Sequence, residues 1–248
     1  GWQEPARYEG LTVERFVNAG ATDKTREHTA HALYESIGET CVTAPDIAHV
    51  EIHGNQVLGV HLVPGLEVDS REEEDGIFAE ITVREKHRIE NPVRICFGLI
   101  HETGTQKIRM KVRLEAGSRI AVLASCTFPN AVDILHTMDA DIEIGDNAEY
   151  IYLERHVHGE HGGVTVIPKA RIILKEGARF RTDFELIKGR VGNLDINYEA
   201  ECGTRSVIDM AARISGRDGD NIRINEKARL NGEAAYGVLR TNIAVRDT

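Results

Sequence analysis

Apolar and polar residues alternate along most of this chain. Ile77, Ala79, Ile81 and Val83 alternate with Phe78, Glu80, Thr82 and Arg84. Ile108, Met110, Val112 and Leu114 alternate with Arg109, Lys111 and Arg113, and both the Ile142/Ile144 and the Ile222/Ile224 pairs sit between polar neighbours. A period of two marks strands with one buried face. Short turns at Gly54-Asn55, Gly145-Asp146-Asn147 and Gly219-Asp220-Asn221 separate such runs. The start is different. Thr12 caps a turn in which Val13, Phe16 and Val17 share a face, ending at Gly20. Thr22 or Asp23 caps a second helix, striped by Ala30, Leu33, Tyr34 and Ile37 and stopped by Gly38. His28 and His31 fall on its solvated side. The helical period is gone by about Ile47, so the pattern predicts a short helical N-terminal segment over residues 1–46 and a strand-rich region over 47–248. The acidic stretch Asp69–Asp75 reads as a solvated connection.

A degenerate repeat runs through the second half. A small residue and an Arg precede an apolar residue in Gly117-Ser118-Arg119-Ile120, Lys169-Ala170-Arg171-Ile172, Gly177-Ala178-Arg179-Phe180 and Lys227-Ala228-Arg229-Leu230. The glycine turns at Gly117, Gly145, Gly177 and Gly203 lie 28, 32 and 26 residues apart. Strands of period two with turns at loosely regular spacing predict a mainly-β solenoid of stacked rungs, a β-helix. A sandwich or jelly roll uses similar strands and is the alternative. The aromatic share of 5% favours narrow rungs filled by Val, Ile, Leu and Ala.

The 30 Lys and Arg against 40 Asp and Glu give a formal charge of -10, which argues against a nucleic-acid backbone as partner. No apolar run approaches the roughly 18–20 residues of a membrane span. Gly1-Trp2-Gln3-Glu4 lacks the basic and apolar parts of a secretory signal, and Cys41, Cys96, Cys126 and Cys202 form no C-x-x-C pair. These features predict a cytoplasmic protein without a disulfide framework.

The densest set of potential ligands is His156-Val157-His158-Gly159-Glu160-His161-Gly162-Gly163. In extended chain His156 and His158 point to one side, and the glycines let the backbone return His161 towards them. His156, His158 and His161 are therefore the expected metal ligands, because neutral imidazole suits Zn, Fe and similar ions. The string resembles the His-x-His-x-Asp-His signature of metallo-β-lactamase-like hydrolases, with Glu160 in place of Asp. However, His161 is the last histidine, and Val164–Leu174 reads as strand where that family begins a helix. A metal-dependent hydrolase or a carbohydrate-active β-helix is thus one functional reading. No P-loop, G-x-G-x-x-G or G-x-S-x-G motif supports another enzyme class. The abundant carboxylates read as solvated rung surface. Cys126 and Cys202 have the chemistry of thiolate ligands, although the apolar chain neighbours of Cys96 and Cys126 suit small core residues.

The string from His156 to Ile172 resembles the signature region of the SufB/SufD family. The likeness extends through Gly177-Ala178-Arg179-Phe180, Lys188-Gly189-Arg190-Val191-Gly192 and Ala211-Ala212-Arg213-Ile214-Ser215-Gly216. Upstream it includes Ile89–Gly98, and in all it covers roughly residues 77 to 248, most similar to the short archaeal-type form. The resemblance implies a right-handed parallel β-helix of the SufBD type. It also implies a non-enzymatic scaffold for iron–sulfur cluster assembly, on which a cluster forms transiently. The implied partners are a SufC-like ABC ATPase and a second SufB/SufD-type protomer. The sequence stops at Thr248, in what reads as a rung, and the family's C-terminal helical part has no counterpart in it. The family's cluster-forming Cys and Glu therefore transfer to no residue.

Overall fold

The computed structural model describes residues 23–40 and 44–246. The helix expected between Thr12 and Gly20, and Cys41, lie outside the described residues. Helix α1 (Asp23–Ser36) is followed by fifteen strands. The first five are β1 (His49–His53), β2 (Gln56–His61), β3 (Leu66–Glu73), β4 (Gly76–Val83) and β5 (Val93–Gly98). Then come β6 (Thr103–Leu114), β7 (Arg119–Phe128), β8 (Asp133–Ile144), β9 (Glu149–His158) and β10 (Val164–Leu174). The last are β11 (Arg179–Lys188), β12 (Gly192–Cys202), β13 (Val207–Arg217), β14 (Asn221–Leu230) and β15 (Tyr236–Arg246).

From β4 onward, successive strands alternate between two sheets. One runs β15-β13-β11-β9-β7-β5-β1-β2 and the other β14-β12-β10-β8-β6-β4-β3. All pairs from β4 on are parallel, so the chain coils as a parallel β-solenoid of six two-strand turns. Parallel pairing excludes the sandwich and the jelly roll, which are antiparallel. The two hairpins β1–β2 and β3–β4 are the antiparallel exceptions and finish one end of each sheet. The acidic stretch Asp69–Asp75 is not a loop. Asp69 to Glu73 lie in β3, paired with β4, and the turn is confined to Glu74 and Asp75. Charges are tolerated there because this edge strand has a solvated face.

In the register of the ladders, like positions stack. Phe97, Cys126, His156, Leu186 and Ile214 form one inward column, each beside the next. The turns stack as well. Lys86, Gly117, Asn147, Gly177, Arg205 and Ala234 all have positive φ, at intervals of 31, 30, 30, 28 and 29 residues. Backbone bonds such as Gly117 N to Asp146 O and Gly177 N to Thr204 O link these turns into a column. Outside, charges pair between neighbouring strands, as in Arg155–Glu185, Arg213–Asp183 and Arg240–Asp209. Exposed pairs of this kind contribute little stability.

Helix α1 covers the outer face of one sheet near its hairpin end. It closes with Gly38 at φ 75°, where Gly38 N bonds Glu35 O and Glu39 N bonds Tyr34 O, the paired bonds of a Schellman cap. Leu33 and Tyr34 from its expected stripe are buried with Cys96, and His28 and His31 are exposed. The Tyr34 hydroxyl donates to buried Glu51 at 3.0 Å. Tyr34→Phe should therefore weaken helix docking by about 1.5–3 kcal/mol, the range for a hydrogen bond to a charged group. Amide exchange should speed up roughly tenfold or more in α1 and stay unchanged in β9 to β13. Equal acceleration throughout would mean that the helix does not open separately from the solenoid.

Candidate functional site

Strand β9 carries the site. Its alternation puts Tyr150, Tyr152, Glu154, His156 and His158 on the inner face, so the polar residues enter the core by the same period-two rule as the apolar ones. Cys126 of β7 lies beside His156 in register, and His136 of β8 faces them from the opposite sheet, with its ring centre 6.0 Å from that of His156. Aromatic rings enclose the group. Phe184 lies 4.6 Å from His156, and Phe128 lies 5.1 Å from His136 and 5.4 Å from His158. Cys126 and His156 are 0% exposed, His136 1%, Glu154 2% and His158 4%, so the group is shut off from solvent.

One ligand-type atom from each of Cys126, Glu154 and His156 lies within 4.8 Å of the other two. The Cys126 thiol donates to Glu154 Oε1 at 3.7 Å, and the same oxygen lies 2.8 Å from His156 Nε2. His156 Nδ1 lies 3.1 Å from His158 Nε2, and His158 Nδ1 lies 3.1 Å from the Arg190 carbonyl. Burial holds His136, His156 and His158 neutral, with pKa values lowered to about 3. It also pushes the Glu154 carboxyl up to about 7 and raises the Cys126 thiol well above its usual range. The Glu154–His156 contact is thus a neutral hydrogen bond rather than an ion pair.

The direction of the chain of bonds follows from its last link. A carbonyl can only accept, so His158 Nδ1 carries a proton and its Nε2 is a lone pair. His156 Nδ1 must then donate to it, which leaves His156 Nε2 as a lone pair facing Glu154. The proton in that contact belongs to Glu154. Several groups beside this chain have no partner: both ring nitrogens of His136, Glu154 Oε2 and Gln106 Oε1. Gln106 neighbours His136 in the same inward column, and its amide nitrogen is already spent on the carbonyls of Gly54 and Gly98.

The Arg190 carbonyl that starts this order is itself braced. Asp220 accepts from Arg190 Nε and Nη2 at 3.2 and 3.0 Å, and from the backbone of Gly192 and Arg217 at 3.2 and 3.0 Å. Neighbouring Gly189 has φ 80°, and a Cβ there would lie 1.9 Å from the His158 carbonyl oxygen. Only glycine fits.

Of the three expected ligands, the structure brings His156 and His158 together and leaves His161 exposed in the following turn. Glu160 is also exposed, bonded to Arg217. Cys126, Glu154 and His136 were missed as a group. Cys126 was weighed by its chain neighbours, whereas the residues that matter stand about 30 positions further on. The available signal was the inward phase of β9, which places a carboxylate and two imidazoles where apolar residues are expected.

Among the described residues no helix is long and apolar enough to cross a membrane. No family model matches the chain. Two curated relatives do. An iron–sulfur cluster assembly SufBD family protein of Methanocaldococcus jannaschii is 31% identical over 220 residues, which is 87% of this chain and 70% of that protein. A protein of the same description from Pyrococcus horikoshii is 29% identical over 216 residues, 87% of this chain and 66% of its own length. The likeness to the first covers 87% of this chain and 70% of that protein, so this chain belongs to the SufBD family.

Proposed function

We propose that this chain is a scaffold on which iron–sulfur clusters are assembled, acting without catalysis of its own alongside a SufC-like ABC ATPase and a second SufB/SufD-type protomer. The observation that carries this reading is the interior meeting of Cys126, Glu154 and His156 in a chain of this family. Thiolate, carboxylate and imidazole are together the donors that iron accepts, and the thiolate also suits sulfide-bearing species. The closed surroundings speak against a hydrolase. Hydrolytic metal sites keep a position open to water and substrate, whereas these side chains lie under the two sheets. The iron–sulfur cluster is cargo in this reading, and the cytoplasm is the compartment in which reduced thiols and such cargo coexist.

Immobilised protein in a form extended past Thr248 should capture the SufC-like ATPase from the same source. Anaerobic incubation with Fe(II) and sulfide should also give a coloured species that a Cys126→Ser chain forms poorly. Absence of both capture and colour would overturn the scaffold reading.

A further inference from the structure

We propose that the solenoid interior binds one divalent transition-metal ion of the Fe(II)/Zn(II) class without sulfide or partner, through Cys126 Sγ, Glu154, His156 Nε2 and His136. This names the species and the ligand set of the interior site, and so rests on the reading that the cluster handles iron. It adds His136, and it separates a mononuclear ion from the assembled cluster.

Three observations converge on it. The first is the unpartnered set. A buried imidazole with neither nitrogen bonded costs free energy unless something completes it. The second is direction. The relay from the Arg190 carbonyl through His158 leaves His156 Nε2 as a lone pair aimed at Glu154. The Glu154 proton fills that contact in the metal-free chain, and a cation can take the proton's place between the two acceptors. His158 then serves as the outer partner that fixes a ligating imidazole, as metal-bound histidines usually require.

The third is distance. Typical metal–sulfur and metal–oxygen bonds of ~2.3 and ~2.1 Å at a tetrahedral angle separate S and O by ~3.6 Å, and Cys126 Sγ lies 3.7 Å from Glu154 Oε1. The same geometry separates N and O by ~3.3 Å, so the 2.8 Å contact between His156 and Glu154 must open slightly. An ion ~2.1 Å from a ring nitrogen lies ~3.2 Å from that ring's centre, so two ligating rings have centres up to ~6.4 Å apart. The 6.0 Å between His136 and His156 falls inside that limit, but His136 stands outside the trio whose ligand atoms lie within 4.8 Å of one another, so its ring must move inward to ligate, by roughly 1 Å for a tetrahedral angle.

The charges close as well. The ion forms bonds to sulfur and oxygen as the Cys126 thiol and the Glu154 carboxyl each release a proton. Two anions and two neutral imidazoles then surround a dication, and the dry interior holds no net charge. A thiolate with imidazoles selects against Mg(II) and Ca(II), which prefer oxygen donors.

Cobalt(II) tests this directly, because its thiolate charge-transfer band reports sulfur ligation and its d–d bands report tetrahedral geometry. The full chain, reduced and anaerobic, should take up one Co(II) with both features and should ignore Mg(II). Cys126→Ser should remove the charge-transfer band. His136→Gln, and independently His136→Leu, should weaken binding at least tenfold, and His161→Ala should leave it unchanged. Thermal melts of each variant separate lost ligation from lost folding, and His156→Gln gives a second ligand variant should Cys126→Ser unfold. No Co(II) uptake by the parent overturns the proposal. So does a charge-transfer band that survives Cys126→Ser, undiminished binding in folded His136 variants, or binding that depends on His161. ATPase capture by the form extended past Thr248 keeps the two readings apart. Capture without Co(II) uptake removes the mononuclear site and leaves the scaffold, and uptake without capture does the reverse.

Discussion

Replacing His136 with leucine should make the metal-free chain more stable, by about 1–3 kcal/mol, the penalty attached to a buried polar group without a partner. The direction is opposite to that of most core substitutions, which destabilise. His136 is 1% exposed and neither of its nitrogens is bonded. Leucine has a similar volume, loses no hydrogen bond there and packs against Phe128, whose ring centre lies 5.1 Å from the imidazole. Denaturant unfolding of parent and variant, stripped of metal, gives the comparison directly. With Co(II) in excess the gap should narrow by at least about 1.3 kcal/mol, since free ion at about 100 times the parent's dissociation constant adds about 2.7 kcal/mol to the parent and about 1.4 to a variant that binds tenfold more weakly. A variant less stable than the parent by more than about 1 kcal/mol without metal would show that the imidazole is already satisfied, and the unpartnered set would lose its meaning. The parent gives up stability at this position for ligand chemistry.

The second large effect lies at the edge of the site. Asp220→Ala should cost about 3–5 kcal/mol, the usual loss when one member of a buried ion pair is removed, and lower Tm by roughly 10 °C for a chain of this size. The Asp220 carboxylate is 1% exposed, and its Arg190 partner is 19% exposed. Truncation strands the guanidinium and the backbone N–H groups of Gly192 and Arg217 together. Asp220→Asn keeps an acceptor oxygen and should fall between the two. The variant should also disturb the His158 tautomer, because Arg190 presents the carbonyl that fixes it, and imidazole nitrogen shifts would record that. A loss below about 1 kcal/mol with an undisturbed tautomer would mean that the Arg190 turn holds itself.

The solenoid was legible in the sequence because period two needs only local side-chain order. Ile77 to Val83 and Ile108 to Leu114 read as strands, and they pair in parallel in β4 and β6. The spacing of the turns was less clear for a specific reason. Gly117 and Gly177 occupy the left-handed position of their turns, whereas Gly145 and Gly203 stand two residues before it, where a Cβ would press on the carbonyls of Leu114 and Leu174. Counting glycines mixed two positions and gave 28, 32 and 26. The left-handed residues themselves are spaced evenly, but Lys86, Asn147, Arg205 and Ala234 carry no glycine to mark them.

The site was half legible. His156 and His158 stand in one strand, so alternation alone unites them. Cys126 and His136 reach them only through coiling, and a one-dimensional reading has no register with which to place a thiol beside an imidazole from the next turn. His161 stands apart from them for the opposite reason. Nearness in sequence suggested a shared ligand sphere, but the chain has already left the core at Gly159 and the turn points His161 outward.

The coiling also sets a ruler. Strands of one sheet stack about 4.8 Å apart, so depth along the axis comes only in whole steps. Strand β9 lies three places from β15, about 14 Å at that spacing. A gene duplication that copied one complete turn above β9 would lengthen that distance by a single graduation and leave Cys126, Glu154 and His156 facing one another as before. A one-residue insertion within β9 would instead turn Glu154 or the histidines out to water. Evolution can therefore change how far the site lies from a partner without redesigning the site, provided it adds or removes length in units of about thirty residues.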